Sequence, residues 1–218
     1  MRGAWDRPVQ RSLRLLAGLV LFGIALAVLV QADLGLDPWT VFNQGVADRT
    51  GLTIGGVTII CSLLLLLLWI PLGQRPGAGT VANALIVGPV LDLALVVIPE
   101  PTQLGARLGY AVAAILGVAV ATGLYVGAGW GPGPRDGLMT GLAARGVPIA
   151  LARASIELTV LVTGWLLGGT VGVATVVFAA TIGPLVKQAL RRLSLAPAPS
   201  AGRVPAAAAV AAARPARR

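Results

Sequence analysis

The sequence predicts an all-α membrane protein of six transmembrane helices arranged as two inverted three-helix repeats. Three observations lead there. Of 218 residues, 56% are apolar and only 11% charged, with mean hydropathy +0.87, against about 25% charged in an ordinary soluble domain. Six apolar segments, each near the roughly 20 residues that cross a bilayer as a helix, are separated by Gly, Pro and charge breaks. The two halves of the sequence also superpose on each other when shifted. Spans of this number leave no room for a sizeable extramembrane domain, which excludes most soluble enzymes.

A basic cytoplasmic segment, residues 1–12, precedes the first span at 13–32. That span is long for the apolar region of a signal peptide and five more follow it, so it reads as an uncleaved helix. The connection to the second span (53–72) contains Asp37 as an N-cap, Pro38 at a first helical position and Gly51 as a terminator, which together predict a short helix. Spans three and four lie at 80–98 and 107–129. Gly131-Pro132-Gly133-Pro134 then breaks the chain before a second short helix, Arg135 to Arg145, closed by Gly146. Gly133, Gly137 and Gly141 share one face of it and invite close packing. Spans five and six are 148–167 and 171–190. From 194 to 218 the chain turns to Ala, Pro and Arg and reads as a disordered basic cytoplasmic tail.

The transmembrane domain is thus 13–193, with repeat one at 13–98 and repeat two at 105–193. A shift of 95 aligns Gly51 with Gly146, Thr80-Val81 with Thr175-Val176 and Gly88-Pro89 with Gly183-Pro184. A shift of 96 aligns Gly35 with Gly131 and Pro38 with Pro134. Three spans per half is an odd number, so the second half is inverted relative to the first. With the N-terminus inside, fifteen of the seventeen Lys and Arg are cytoplasmic and only Arg49 and Arg107 lie outside. That bias predicts a multi-pass protein with both termini in the cytoplasm and short Pro-started helices in the outer 1–2 and inner 4–5 loops.

The net charge of +9 follows this topology rather than a nucleic-acid partner. With no His and the single Cys61, a zinc cluster has no ligands and an intramolecular disulfide has no second thiol. Neither metal nor cofactor is expected. The bilayer is the expected partner, together with a small substrate or another membrane protein. The pairs Gly105/Gly109, Gly123/Gly127 and Gly164/Gly168 read as helix packing and are compatible with a homo-oligomer.

Ala32-Asp33-Leu34-Gly35 with Pro38-Trp39, the run Gly131-Pro132-Gly133-Pro134-Arg135-Asp136-Gly137-Leu138-Met139, Arg153, Glu157, Gly164 to Gly169 and Ile182-Gly183-Pro184 resemble the YczE/YitT-type family of bacterial integral membrane proteins, and its YczE branch more closely. The resemblance covers about residues 13–193. It implies a six-helix protein of the bacterial inner membrane, from a family linked to secondary-metabolite production or export-like roles without an assigned substrate. Thr40 follows Pro38-Trp39 where many relatives are expected to carry Asp; the second half keeps Asp136 there.

Glu157 is the first candidate site residue. Counted from Pro148 at 1.5 Å per residue, it lies about 13–14 Å deep, near the midplane of a core about 30 Å thick, where an ionisable group costs about 2.5–3.5 kcal/mol. Arg153 precedes it by one turn. The two are either a proton or cation site gated by Arg153 or a neutralised pair locking the fifth helix to a neighbour. Thr58 and Ser62 occupy the matching positions of repeat one and either line the same cavity or bond their own backbone. Gly131, Gly133, Pro134, Arg135 and Asp136 form either an anion-holding helix start or a capped connection with Arg135 and Asp136 paired. Asp37, Pro38 and Trp39 form the outer counterpart, with Trp39 as an interface anchor. No nucleophile–base set or acid pair is present, so no enzymatic activity is expected. The two readings are a small inverted-repeat transporter or exporter, proton-coupled at Glu157 with the short helices as gates, and a noncatalytic membrane scaffold or assembly partner.

Overall fold

The computed structural model describes residues 8–195; most of the expected N-terminal segment and nearly all of the tail lie outside that range. The described residues form helices α1 (Pro8–Ala32), α2 (Pro38–Thr50), α3 (Ile54–Trp69), α4 (Ala78–Val97), α5 (Leu104–Gly127), α6 (Pro134–Ala143), α7 (Ile149–Leu166) and α8 (Val173–Leu193). Five of them are long and apolar enough to cross a membrane; α2 and α3, bent by 113° at their junction, make six when counted as one broken span. The break has a local cause. Gly51 takes φ +73, which favours glycine, and Thr53 accepts from the Gly56 N–H to start α3.

α1 begins five residues earlier than the apolar run, because Pro8 is suited to a first helical position and Arg11 and Arg14 find partners. Arg11 Nη1 donates to Ala128 O at 3.0 Å and Arg14 Nη1 to Leu193 O at 2.7 Å. Cationic groups there meet the negative ends of α5 and α8. At the opposite end of the α1–α5 pair, Arg107 Nε donates to Ala32 O at 2.9 Å and its guanidinium pairs with Asp33.

α1 and α5 pack along each other at the centre, flanked by α4 on α1 and α8 on α5. The short helices cross between halves, α2 onto α7 and α6 onto α3. Glycines make both crossings. Gly164 meets the backbone of Val41 and Phe42, and Gly137 lies directly beneath the Trp69 ring. The expected Gly133–Gly137–Gly141 face is partly used in this way, since Gly141 packs on Leu72. A Cβ at Gly105 or Gly109 would instead meet nothing within 4 Å among the described residues.

Two loop-to-helix junctions tie the halves together. Gly79 N–H donates to Trp130 O at 2.9 Å, and Ala174 N–H donates to Leu34 O at 2.9 Å. Gly131 and Gly35, at φ +119 and +107, lie against Thr80 and Thr175, where a side chain has neither conformation nor space. Outward, Leu64, Leu67 and Leu68 of α3, Leu93 and Val96 of α4 and Val173 and Val176 of α8 are exposed. A continuous apolar surface of this kind is suited to hydrocarbon and not to water.

Candidate functional site

The starts of α2 and α6 lie side by side in the interior. Asp37 caps α2, accepting from the Thr40 N–H at 3.2 Å and from its hydroxyl. Its carboxylate also sits 3.8 Å from Arg135 Nη1, and the Arg135 guanidinium lies 5.0 Å from the centre of the Trp39 ring. Two connections expected at opposite membrane faces therefore meet. This corrects two expectations. Arg135 pairs with Asp37 and not with its neighbour Asp136, because Asp136 turns toward α5 and accepts from the Tyr125 hydroxyl at 3.1 Å. Trp39 is not an interface anchor; it is buried, held beneath Arg135.

Across from these groups, Arg153 Nε donates to Glu157 Oε1 at 2.9 Å along one face of α7. A cavity of about 120 Å³ is lined by Asp37, Pro38, Trp39, Thr58, Ser62, Gly133, Pro134, Arg135, Asp136, Arg153 and Glu157. The structure thus brings together every candidate site residue except Gly131, which serves the Thr80 junction instead. Thr58 shows both expected behaviours, lining the cavity and donating to Ile54 O at 2.8 Å, and it also accepts from Asn43 Nδ2 at 2.8 Å. Asn43 Oδ1 is buried with no hydrogen-bond partner among the described residues. Pro134 O accepts from Trp69 Nε1–H at 3.0 Å, which fixes the start of α6.

Phe22, Asn83, Thr122, Tyr125, Met139 and Phe178 also line the cavity, so all eight helices contribute. None was singled out from the sequence. Asn83 and Tyr125 were findable, as polar groups inside apolar runs that would face the bundle interior. The ionisable set is three carboxyls (Asp37, Asp136, Glu157) and two guanidiniums (Arg135, Arg153). Two carboxyls have a guanidinium within 4.0 Å; among the described residues Asp136 has none.

The helices around the cavity differ in one respect between the halves. α3 packs along α4 with Gly55 against the Gly88 carbonyl, and Asp92 accepts from the Thr53 hydroxyl at 2.6 Å and the Gly55 N–H at 2.7 Å. α7 and α8 form no such seam. Gly183 has nothing within 4 Å, Ala150 is exposed, and the Arg153 side chain keeps 44% of its surface open.

An all-helical chain with an apolar exterior around a charged interior cavity defines the class, a multi-pass integral membrane protein. Residues 9–191 match the Family of unknown function (DUF6198), and the chain belongs to that family. It is 38% identical over 184 residues to an uncharacterised protein of Haemophilus influenzae, covering 84% of each chain. It is 31% identical over 180 residues to the uncharacterised membrane protein YczE of Bacillus subtilis, covering 80% of this chain and 82% of that one. The YczE-type resemblance read from the motifs is therefore correct. No solved structure matches the chain.

Proposed function

We propose that the chain is a small proton-coupled transporter or exporter of the bacterial inner membrane, without enzymatic activity, whose central site is at Glu157. In this reading six spans form two inverted repeats with both termini in the cytoplasm. The observation that carries it is the cavity itself: all eight helices contribute to its wall, and five ionisable side chains face it, a costly arrangement inside a membrane-spanning bundle. A scaffold has no need of that cost. The repeat reading is supported by bonds that recur at equivalent positions, Arg11 to Ala128 O beside Arg107 to Ala32 O, and Gly79 N–H to Trp130 O beside Ala174 N–H to Leu34 O. The topology reading is supported by the Lys and Arg distribution, and Arg107 on the outer side is accounted for by its capping of α1.

The coupling proton is assigned to Glu157, which faces Arg153 on its own helix and Asp37 and Asp136 across the cavity. The short helices, whose starts meet at Asp37 and Arg135, act as the gates. The test is dye-reported proton movement in proteoliposomes during a screen of small metabolites and organic cations. The expected result is a substrate-triggered pH change in the wild type that Glu157→Gln abolishes while keeping its melting temperature. Undiminished coupled flux in the variant overturns the assignment. An unfolded variant makes the pair structural, and a silent, folded wild type with a copurifying protein partner favours the scaffold.

A further inference from the structure

Two spaces of different character adjoin in this molecule. Beside the charged cavity lies an apolar groove of about 420 Å³ between α3 and α7, lined by Cys61, Leu64, Leu65 and Leu68 on one side, Ile156, Thr159 and Val160 on the other, and floored by Phe42 and Leu138. Trp39 lines both spaces. α7 is their shared wall, with Arg153 and Glu157 facing the cavity and Ser155, Ile156, Thr159 and Val160 facing the groove. α6 divides in the same way, with Asp136 and Met139 on the cavity side and Leu138 on the groove side. The two spaces are therefore separated by no more than one helix, about 10 Å across.

Volume decides what each can hold. Ligand sites are usually about 300–1,000 Å³, so the groove takes the body of a ligand and the 120 Å³ cavity only a small head. The cavity wall also has a polar niche for that head. Tyr125, Asp136 and Asn83, all of which line the cavity, gather around Gly133: a Cβ added there would stand 3.1 Å from the Tyr125 hydroxyl, 3.4 Å from Asp136 Oδ2 and 3.7 Å from Asn83 Cγ. The Asp136 carboxylate, which among the described residues has no guanidinium within 4.0 Å, thus converges with a phenol oxygen and an amide. The three carboxyls and two guanidiniums of the cavity leave one net negative charge when ionised, part of which the start of α6 offsets. That charge, with three oxygen acceptors, matches the three N–H donors of a primary ammonium.

We propose that the site takes a long-chain primary amine, with its ammonium in the niche formed by Asp136, Tyr125 and Asn83 beside Gly133 and its hydrocarbon tail passing Trp39 into the α3–α7 groove. The proposal names the substrate class of the transport site and rests on that reading only for the consequence that the amine moves; binding stands by itself.

The experiment uses the full chain in lipid nanodiscs and an alkyl amine with a photoactivatable diazirine in its tail. Labelling is expected on α3 and α7 around Leu64, Leu68, Ile156 and Val160, and is competed by unlabelled long-chain amine but not by methylamine or by the alcohol of the same chain length. Gly133→Ala, which fills the niche without changing charge, and Asp136→Asn each lower the competed labelling by about tenfold or more, as expected for loss of a charge-assisted bond. Ile156→Trp lowers it from the groove side, so the test survives misfolding of any one variant. Labelling that the alcohol competes equally, or that none of the variants changes, means bulk lipid in the groove and overturns the proposal. So does an oxidant-formed Cys61–Cys61 disulfide between chains, which puts a second copy there. Amine binding without proton movement upholds this inference against the transport reading, whereas coupled flux of a water-soluble substrate without groove labelling does the reverse.

Discussion

The unequal seams give a quantitative prediction for two glycines, Gly55 on α3 and Gly183 on α8. At Gly55 an added Cβ falls onto the Gly88 carbonyl and comes 2.5 Å from the Asp92 carboxylate. Overpacking of that kind costs about 1–3 kcal/mol. Relief by separating the helices sacrifices at least one of the two bonds to Asp92, worth about 1.5–3 kcal/mol for a charged acceptor. The intrinsic gain of Ala over Gly in a helix returns only about 1 kcal/mol. Gly55→Ala should therefore destabilise by about 0.5–2 kcal/mol if one bond to Asp92 is lost and by about 2–5 kcal/mol if both are. At Gly183 the same Cβ meets nothing within 4 Å. Its helix gain is offset by crowding against Pro184, so Gly183→Ala should stay within about 1 kcal/mol of wild type. Equilibrium unfolding in mixed micelles, followed by far-ultraviolet circular dichroism, measures both. Equal destabilisation of the two variants refutes the reasoning, because it requires α7 and α8 to close as α3 and α4 do. A wild-type Gly55→Ala refutes it from the other side, because the α3–α4 seam is then not tight.

Two further outcomes follow from the buried bonds. Arg107→Leu and Arg11→Leu each remove a guanidinium from the last carbonyls of the partner helix, and each should lower stability by about 1.5–3 kcal/mol; an unchanged melting curve for either shows that the cap contributes nothing. Tyr125→Phe keeps the edge-on contact with Phe22 but removes the only hydroxyl donated to Asp136. It should cost about 1.5–3 kcal/mol and weaken amine labelling by displacing the carboxylate, whereas wild-type behaviour in both assays refutes the niche.

The spans were legible because an apolar run of bilayer length has few other uses, and the short helices because Asp37, Pro38 and Gly51 are local instructions that work in any context. The Arg153–Glu157 pair was legible from its i, i+4 spacing along one helix. The meeting of Asp37 with Arg135 was not, since the residues lie on different halves and nothing in either loop encodes its partner. Trp39 misled for a related reason. An aromatic ring beside a helix start has the same local pattern whether it faces headgroups or a guanidinium, and only the depth of the loop distinguishes them.

The residue-by-residue correspondence of the two halves accounts for both what was readable and what was overlooked. At some positions where the two halves carry the same residue they make the same contact, as Thr80 and Thr175 do beside Gly131 and Gly35. Where they differ, the contact is lost. The three residues that close the α3–α4 seam, Thr53, Gly55 and Asp92, are matched in the second half by Pro148, Ala150 and Lys187. Pro148 has no hydroxyl to donate, Ala150 carries the Cβ that Gly55 must lack, and Lys187 cannot accept a hydrogen bond. Lys187 is one of the fifteen basic residues assigned to the cytoplasmic side by count, yet standing where the first half has Asp92 it also marks an absent seam. The opening beside Arg153 and Glu157 is therefore written into the second half of the sequence. In the proposed transport cycle, motion that changes access to the cavity is carried elsewhere, and the Asp37–Arg135 contact between the two short helices is the bond that such motion has to break.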